Sequence, residues 1–310
     1  MTPAPSTRPL EAADLGRVVG IDGTTSGRSR RGYYAKRFAF MEEDRGAVVA
    51  LGAERDGQLV GFAFARFLDG EFGGETPAGV LDAIGVAPAA QGGGLGKELL
   101  RGIEEALARR GARQVRTQAD WTDVDMVGFF SRQGFGLSGR IVLERTPATR
   151  LADEEEEDEL PVRSMEERDV PAIVRLDRRI TGRDRAAYYR RKAAEALRHG
   201  GVRVSLVAEV DGAFAGFLMA RVDYGEFGRT DPIAVLDTIG VHPDFARRRV
   251  GRSLLEQLLR NLGSLRVERV LTELDLSQRD LLAFFARTGF GPSQRLSLEK
   301  AIPAPEQGDA

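Results

Sequence analysis

The chain repeats itself. Val80-Leu81-Asp82-Ala83-Ile84-Gly85-Val86 returns as Val235-Leu236-Asp237-Thr238-Ile239-Gly240-Val241, 155 positions later, and other motifs keep the same spacing. Tyr33-Tyr34 maps to Tyr188-Tyr189, Gly70-Glu71-Phe72-Gly73 to Gly225-Glu226-Phe227-Gly228, and Phe129-Phe130 to Phe284-Phe285. A chain with one gapless offset must build one architecture twice. A period near 150 residues is the size of a domain and far too long for a solenoid. The division that follows is residues 1–150, a linker at 151–160, and residues 161–310. Each part carries a full set of elements and is expected to fold alone.

Within the first copy, Leu15, Val18 and Val19 mark a helix over Glu11 to Ile21, and Arg31 to Glu43 is a second helix. Ala47 to Arg55 and Gln58 to Phe67 alternate as strands around Asp56-Gly57, a strong hairpin signal. After a loop, Leu81, Ile84 and Val86 form a strand ended by Pro88. Leu95, Leu99, Leu100, Ile103 and Leu107 then make the apolar stripe of a helix. A strand at Gln114 to Ala119, a helix from about Asp123 to Gln133, and strands at Phe135 to Leu137 and Arg140 to Arg145 complete the unit. This order predicts an α/β fold: two tandem copies of a mixed, mainly antiparallel sheet flanked by helices.

Charge and residue usage narrow the chemistry. The flanks of the linker are near neutral, +1 for residues 1–151 and +4 for 160–310, while Asp153 to Glu159 are all acidic. Neither copy has the basic surface that nucleic acid requires, and the acidic run reads as an extended, self-repelling linker. No apolar run is long enough for a membrane helix, and nothing at the start resembles a signal peptide, so the cytoplasm is the expected location. With no cysteine and only His199 and His242, a thiol nucleophile is excluded and a metal site is not expected.

Between the central strand and its helix lies Gln91-Gly92-Gly93-Gly94-Leu95-Gly96-Lys97. Glycines there let backbone approach a ligand and aim the first helical N–H groups outward, which suits a phosphate. The spacing fits neither a P-loop nor a dinucleotide fingerprint. It does fit Q/R-x-x-G-x-G/A, with Gln91, Gly94 and Gly96 in the fixed places. The loop, the strand before it and the late Phe-Phe-x-x-x-Gly-Phe together resemble the GCN5-related N-acetyltransferase (GNAT) family, over most of both halves. The resemblance implies acetyl-coenzyme A as co-substrate and an amine, on a small molecule or a protein, as acceptor. It implies that Gln91, Gly92, Gly93, Gly94, Leu95, Gly96 and Lys97 hold the pyrophosphate. The strands ending at Val86 and near Ala119 would splay apart, with Ile84 and Val86 offering backbone to the pantetheine arm.

Two departures from the family pattern stand out. Phe130 and Phe285 occupy the place where many members carry a proton-donating tyrosine. The second copy's loop reads Ala246-Arg247-Arg248-Arg249-Val250-Gly251, in which bulky side chains should obstruct a pyrophosphate, so one cofactor per chain is expected. For direct transfer in a ternary complex, Asp82 is the first candidate for the base, on the reading that it shares a strand face with Ile84 and Val86. Glu71 is the second, and Tyr33 or Tyr34 could replace the missing acid. Asp120 and Asp123 are read as a turn and a helix cap. The alternative function is a non-catalytic acyl-coenzyme A sensor whose second half binds a partner.

Overall fold

The computed structural model describes residues 6–27, 29–43, 46–68, 77–147, 160–194, 203–223, 227 and 233–303. Glu71 and the acidic run therefore lie outside the described residues. The first half runs β1 (Ser6–Pro9), α1 (Leu15–Ser26), α2 (Arg31–Glu43), β2 (Val48–Arg55), β3 (Gln58–Leu68), β4 (Ala78–Val86), α3 (Leu95–Arg109), β5 (Gln114–Asp120), α4 (Val124–Arg132), β6 (Gly136–Leu137) and β7 (Arg140–Arg145). The second half repeats the order as β8 (Val162–Ser164), α5 (Val170–Thr181), α6 (Ala186–Ala194), β9 (Leu206–Val210), β10 (Ala213–Asp223), β11 (Ile233–Val241), α7 (Val250–Ser264), β12 (Arg269–Asp275), α8 (Arg279–Arg287), β13 (Gly291–Pro292) and β14 (Arg295–Ala301).

Local chemistry explains most of these elements. Asp56 and Gly57 both hold positive φ, 53° and 72°, as a two-residue hairpin turn between β2 and β3 requires. The five apolar residues of the α3 stripe are all buried against one face of the sheet. Each such side chain contributes about 1.5–3 kcal/mol by leaving water. On the other face Val18, Ile21, Tyr33, Tyr34 and Phe38 pack against Phe62 and Phe64.

The first helix begins later than its apolar spacing suggests. A 3-10 turn, Ala12–Asp14, precedes it, because Asp14 caps the Glu11 N–H at 2.8 Å and pairs with Arg8 at 2.7 Å. The hydrogen bonds from Arg8 hold the Asp14 carboxyl below its ordinary value of 3.8. Asp169 repeats the arrangement: burial would raise it, but Arg163 and the Glu166 N–H overrule that and lower it. A carboxyl depressed on folding stabilises above its unfolded pKa, roughly 4, and that gain is lost as pH falls through the folded value. An Asp14→Asn, Asp169→Asn double variant should thus melt lower than the parent at pH 7, with the gap narrowing below pH ~4 in thermal scans.

The two seven-stranded sheets do not follow the division of the chain at 150–161. The first reads β1-β2-β3-β4-β5-β14-β6 and the second β13-β7-β12-β11-β10-β9-β8. Each half lends its last strand to the other. β14 pairs with β5 along Gln114 to Asp120, and β7 pairs with β12 along Val270 to Asp275. Side chains lock the exchange: Arg140 meets Glu273 at 3.0 Å, Gln118 donates to Glu273 at 2.7 Å, and Lys300 reaches Glu104 at 2.6 Å. A fragment starting at Pro161 would carry β14 without its sheet and lack β7, contrary to the expectation that it folds alone.

Candidate active site

The site begins where β4 and β5 part. They pair as parallel strands only at Ala78 with Gln114, Gly79 with Val115 and Val80 with Arg116. Beyond that point β4 continues to Val86 against β3, and β5 continues to Asp120 against the borrowed β14. The splay is thus as the family resemblance implies. Thr117 closes the fork, its hydroxyl donating to the Leu81 carbonyl at 2.9 Å, and Thr272 does the same to Leu236 at 3.1 Å. Between the tines is a cavity of about 240 Å³ whose walls include Leu81, Ile84, Thr117, Asp120, Phe227 and Arg295. Opening the fork leaves the facing backbone of β4 without a strand partner, ready for a ligand.

At the far end of β4, the loop leads into α3. Gly92 and Gly94 both hold φ of 79°, and open space surrounds the position where a Cβ would sit. Gln91 is spent on the loop itself, donating to the Val86 carbonyl at 3.1 Å. Leu95 is core, so only its backbone can face a ligand, while Lys97 is exposed. Gly96 lies against the Phe129 ring, 3.2 Å from where its Cβ would be. The leading N–H groups of α3 have no acceptor inside the helix, and its dipole adds positive potential. Sequence reasoning missed Arg55. Its guanidinium, from the end of β2, sits 2.9 Å from a Cβ built on Gly93 and brings a cation to the loop. The equivalent residue in the second half is Val210.

In the second half the loop keeps its backbone shape despite its side chains. Arg247 and Arg249 hold φ of 64° and 60° at the places of Gly92 and Gly94. Left-handed backbone costs a side-chain-bearing residue about 1–2 kcal/mol. A cavity of about 520 Å³ lies beside this loop, lined by Asp177, Tyr189, Thr238, Val241, Gly251 and Phe284.

Asp82 does not share the face of Ile84 and Val86. The register of β3 against β4 jumps from Phe64–Ala83 to Ala65–Leu81, so Asp82 is the extra residue of a β-bulge. The bulge resets the alternation: Leu81, Ile84 and Val86 pack toward α3, while Ala83 packs toward α1 and α2. Asp82 turns to the latter side, where Arg66 donates to both its oxygens at 2.5 and 2.8 Å and Arg37 lies 3.7 Å away. Its side chain is fully buried. Asp237 repeats the bulge and pairs with Arg221 and Lys192.

Tyr34 is also engaged. It donates to Asp22 at 2.9 Å beside Arg30, which also pairs with Asp22 and lines the cavity. Burial pushes its hydroxyl well above 10, with the Arg30 cation opposing, so Tyr34 stays protonated. Asp120 accepts from Thr122 at 2.7 Å and Asp123 caps α4 through the Met126 N–H, as the spacing suggested. Phe130 is buried among core side chains.

Comparison with known proteins agrees with this geometry. The sequence model of the Acetyltransferase (GNAT) family matches residues 21–135 and again 170–290. A mycothiol acetyltransferase from Amycolatopsis mediterranei (strain U-32) is 36% identical over 86 residues, 27% of this chain and only 28% of that protein. An aminoglycoside N(6')-acetyltransferase type 1 from Stenotrophomonas maltophilia is 30% identical over 106 residues, 34% of this chain and 69% of that protein. Among solved structures, a tandem GNAT protein from the clavulanic acid biosynthesis pathway superposes with a TM-score of 0.69 at 16% identity, covering 98% of this chain and 100% of its own. A GNAT protein from Sphaerobacter thermophilus gives 0.60 at 17% identity, covering 98% of each chain. At such identities the structures speak to the fold, whereas the family model speaks to the sequence of both halves. The chain belongs to the GNAT family of N-acetyltransferases, as a tandem member.

Proposed function

We propose that the first half binds acetyl-coenzyme A and passes its acetyl group directly to an amine in a ternary complex. The observation that carries this reading is the open fork between β4 and β5 with a two-glycine loop at its mouth. In this reading the pyrophosphate rests on the N–H groups of Gly92 to Gly96 and on Arg55, and the pantetheine arm lies along Ile84 and Val86. The amine nitrogen, once neutral, attacks the thioester carbon and forms the C–N bond, the C–S bond breaks to release the thiolate, and the proton that the nitrogen sheds goes to the base. The carboxylates of Asp120 and Asp123 at the cavity give a cationic amine a favourable approach. The names of the two relatives, a mycothiol and an aminoglycoside acetyltransferase, put amine-bearing small molecules first among acceptors to screen.

The general base is best sought outside β4. A base must reach the amine, and Asp82 is fully buried with both oxygens held by Arg66. We assign Asp82 to holding the fork and keep Glu71 as the candidate base. The second half supports a weaker role in binding, because its loop puts three arginine side chains where the first half puts glycine backbone.

Gly94→Arg tests the loop. The second half accepts arginine at this place and φ, so the variant should fold, yet its side chain occupies the open space over the helix end. Acetyl-coenzyme A affinity by calorimetry should fall at least about tenfold, and Arg55→Ala should cost about as much through a lost charge-assisted contact. Unchanged affinity in both folded variants would remove the phosphate role from this loop.

A further inference from the structure

The cavity of the first half is walled in part by the second. Phe227 lies on the connection between β10 and β11, and Arg295 opens β14, yet both line the fork between β4 and β5. They sit beside Leu81 to Ile84 and Thr117 to Asp120, at the closed end, remote from the loop at Gln91 to Gly96. Arg295 donates to the Phe227 carbonyl at 3.0 Å and stacks over its ring, 5.5 Å from the centroid. The contribution of Arg295 is matched in the other direction: Arg140, its counterpart 155 positions earlier, lines a cavity with Leu236, Asp237, Thr272 and Glu273 of the second half.

A cofactor with its phosphates at the loop and its arm along β4 delivers its acyl group to the closed end of the fork. We infer that Phe227 is the end wall met by that acyl group, and that the second half thereby sets the acyl chain length the first half accepts. Arg295 is a positioning residue that holds the ring in place. Phe227 keeps φ at 52°, a backbone state that disfavours any side chain other than one held for a reason. This inference rests on the acyl-coenzyme A reading above.

Phe227→Gly removes the ring and suits the positive φ, so the backbone need not move. In calorimetry the parent should bind acetyl-coenzyme A about tenfold more tightly than butyryl-coenzyme A, the discrimination available from excluding two methylenes. Phe227→Gly should bring the two affinities to within about twofold of each other. Arg295→Gln should relax the ratio in the same direction, which a purely structural arginine would not do. The chain has no cysteine, so Phe227→Cys carries a single thiol for alkylation by iodoacetamide. Acetyl-coenzyme A at ten times its Kd should slow that alkylation about tenfold, while a Leu265→Cys control stays unaffected.

An unchanged acyl preference in folded Phe227→Gly overturns the inference and leaves the acyl-coenzyme A reading standing. So does alkylation of the Phe227→Cys variant at an undiminished rate while calorimetry shows acetyl-coenzyme A bound. Failure of the parent to bind acetyl-coenzyme A removes both.

Discussion

Asp82→Ala should lower the melting temperature by roughly 5–8 °C, because it takes from buried Arg66 the carboxylate it donates to twice and removes the charge 3.7 Å from Arg37. Breaking a buried ion pair on one side costs about 3–5 kcal/mol, and at about 2.1 cal/mol/K per residue each kcal/mol moves the midpoint of a 310-residue chain by about 1.5 °C. The companion Asp82→Asn keeps the shape and part of the hydrogen bonding, so it should fold and turn over at near-parent kcat. Had Asp82 been the base, the same variant would instead lose about 10²–10⁴-fold in kcat with little change in melting. A thermal scan and a thiol-release assay on the pair separate the roles: an undisturbed melting curve with collapsed turnover would return Asp82 to the proton.

The other large effect concerns the halves themselves. Expressed alone, residues 161–310 should fail to give a folded monomer. Without β7, the edge of β12 and the short β13 have lost their partner, and β14 projects seven residues of strand with no sheet to join. Such edges pair with whatever is available, so aggregation or a strand-swapped dimer is the expected product. Coexpression with residues 1–160 should restore a soluble one-to-one complex with native circular dichroism and acetyl-coenzyme A binding. A monomeric 161–310 fragment with a cooperative unfolding transition would mean that the exchanged strands are dispensable.

Much of this molecule was legible before any coordinates. The α3 stripe, the Asp56-Gly57 turn and the glycine loop are local patterns, and local patterns survive because neighbouring residues determine them; the fork came from the family resemblance. What escaped was set by partners distant in sequence. Arg140 to Arg145 and Arg295 to Ala301 alternate alike, and alternation says that a strand forms without saying whose sheet receives it. The bulge at Asp82 carries no glycine or proline to announce it, so period-two counting put the carboxylate on the wrong face. Arg55 reaches the loop from a different strand, and Phe227 reaches the fork from the other copy. Neither proximity has any signature in spacing.

The reciprocal loan of β7 and β14 also bears on how such a gene can change over time. After an ordinary duplication, a copy that stops working can decay and be deleted. Here deletion of either copy strips a strand from the survivor, next to the very tine that bounds its cleft. The second copy is therefore free to trade Gly92 and Gly94 for Arg247 and Arg249, but it must go on supplying Arg295 to Ala301. Its loop can drift while its last strand is held to the first copy's needs, which leaves two halves of one inheritance evolving under unequal rules.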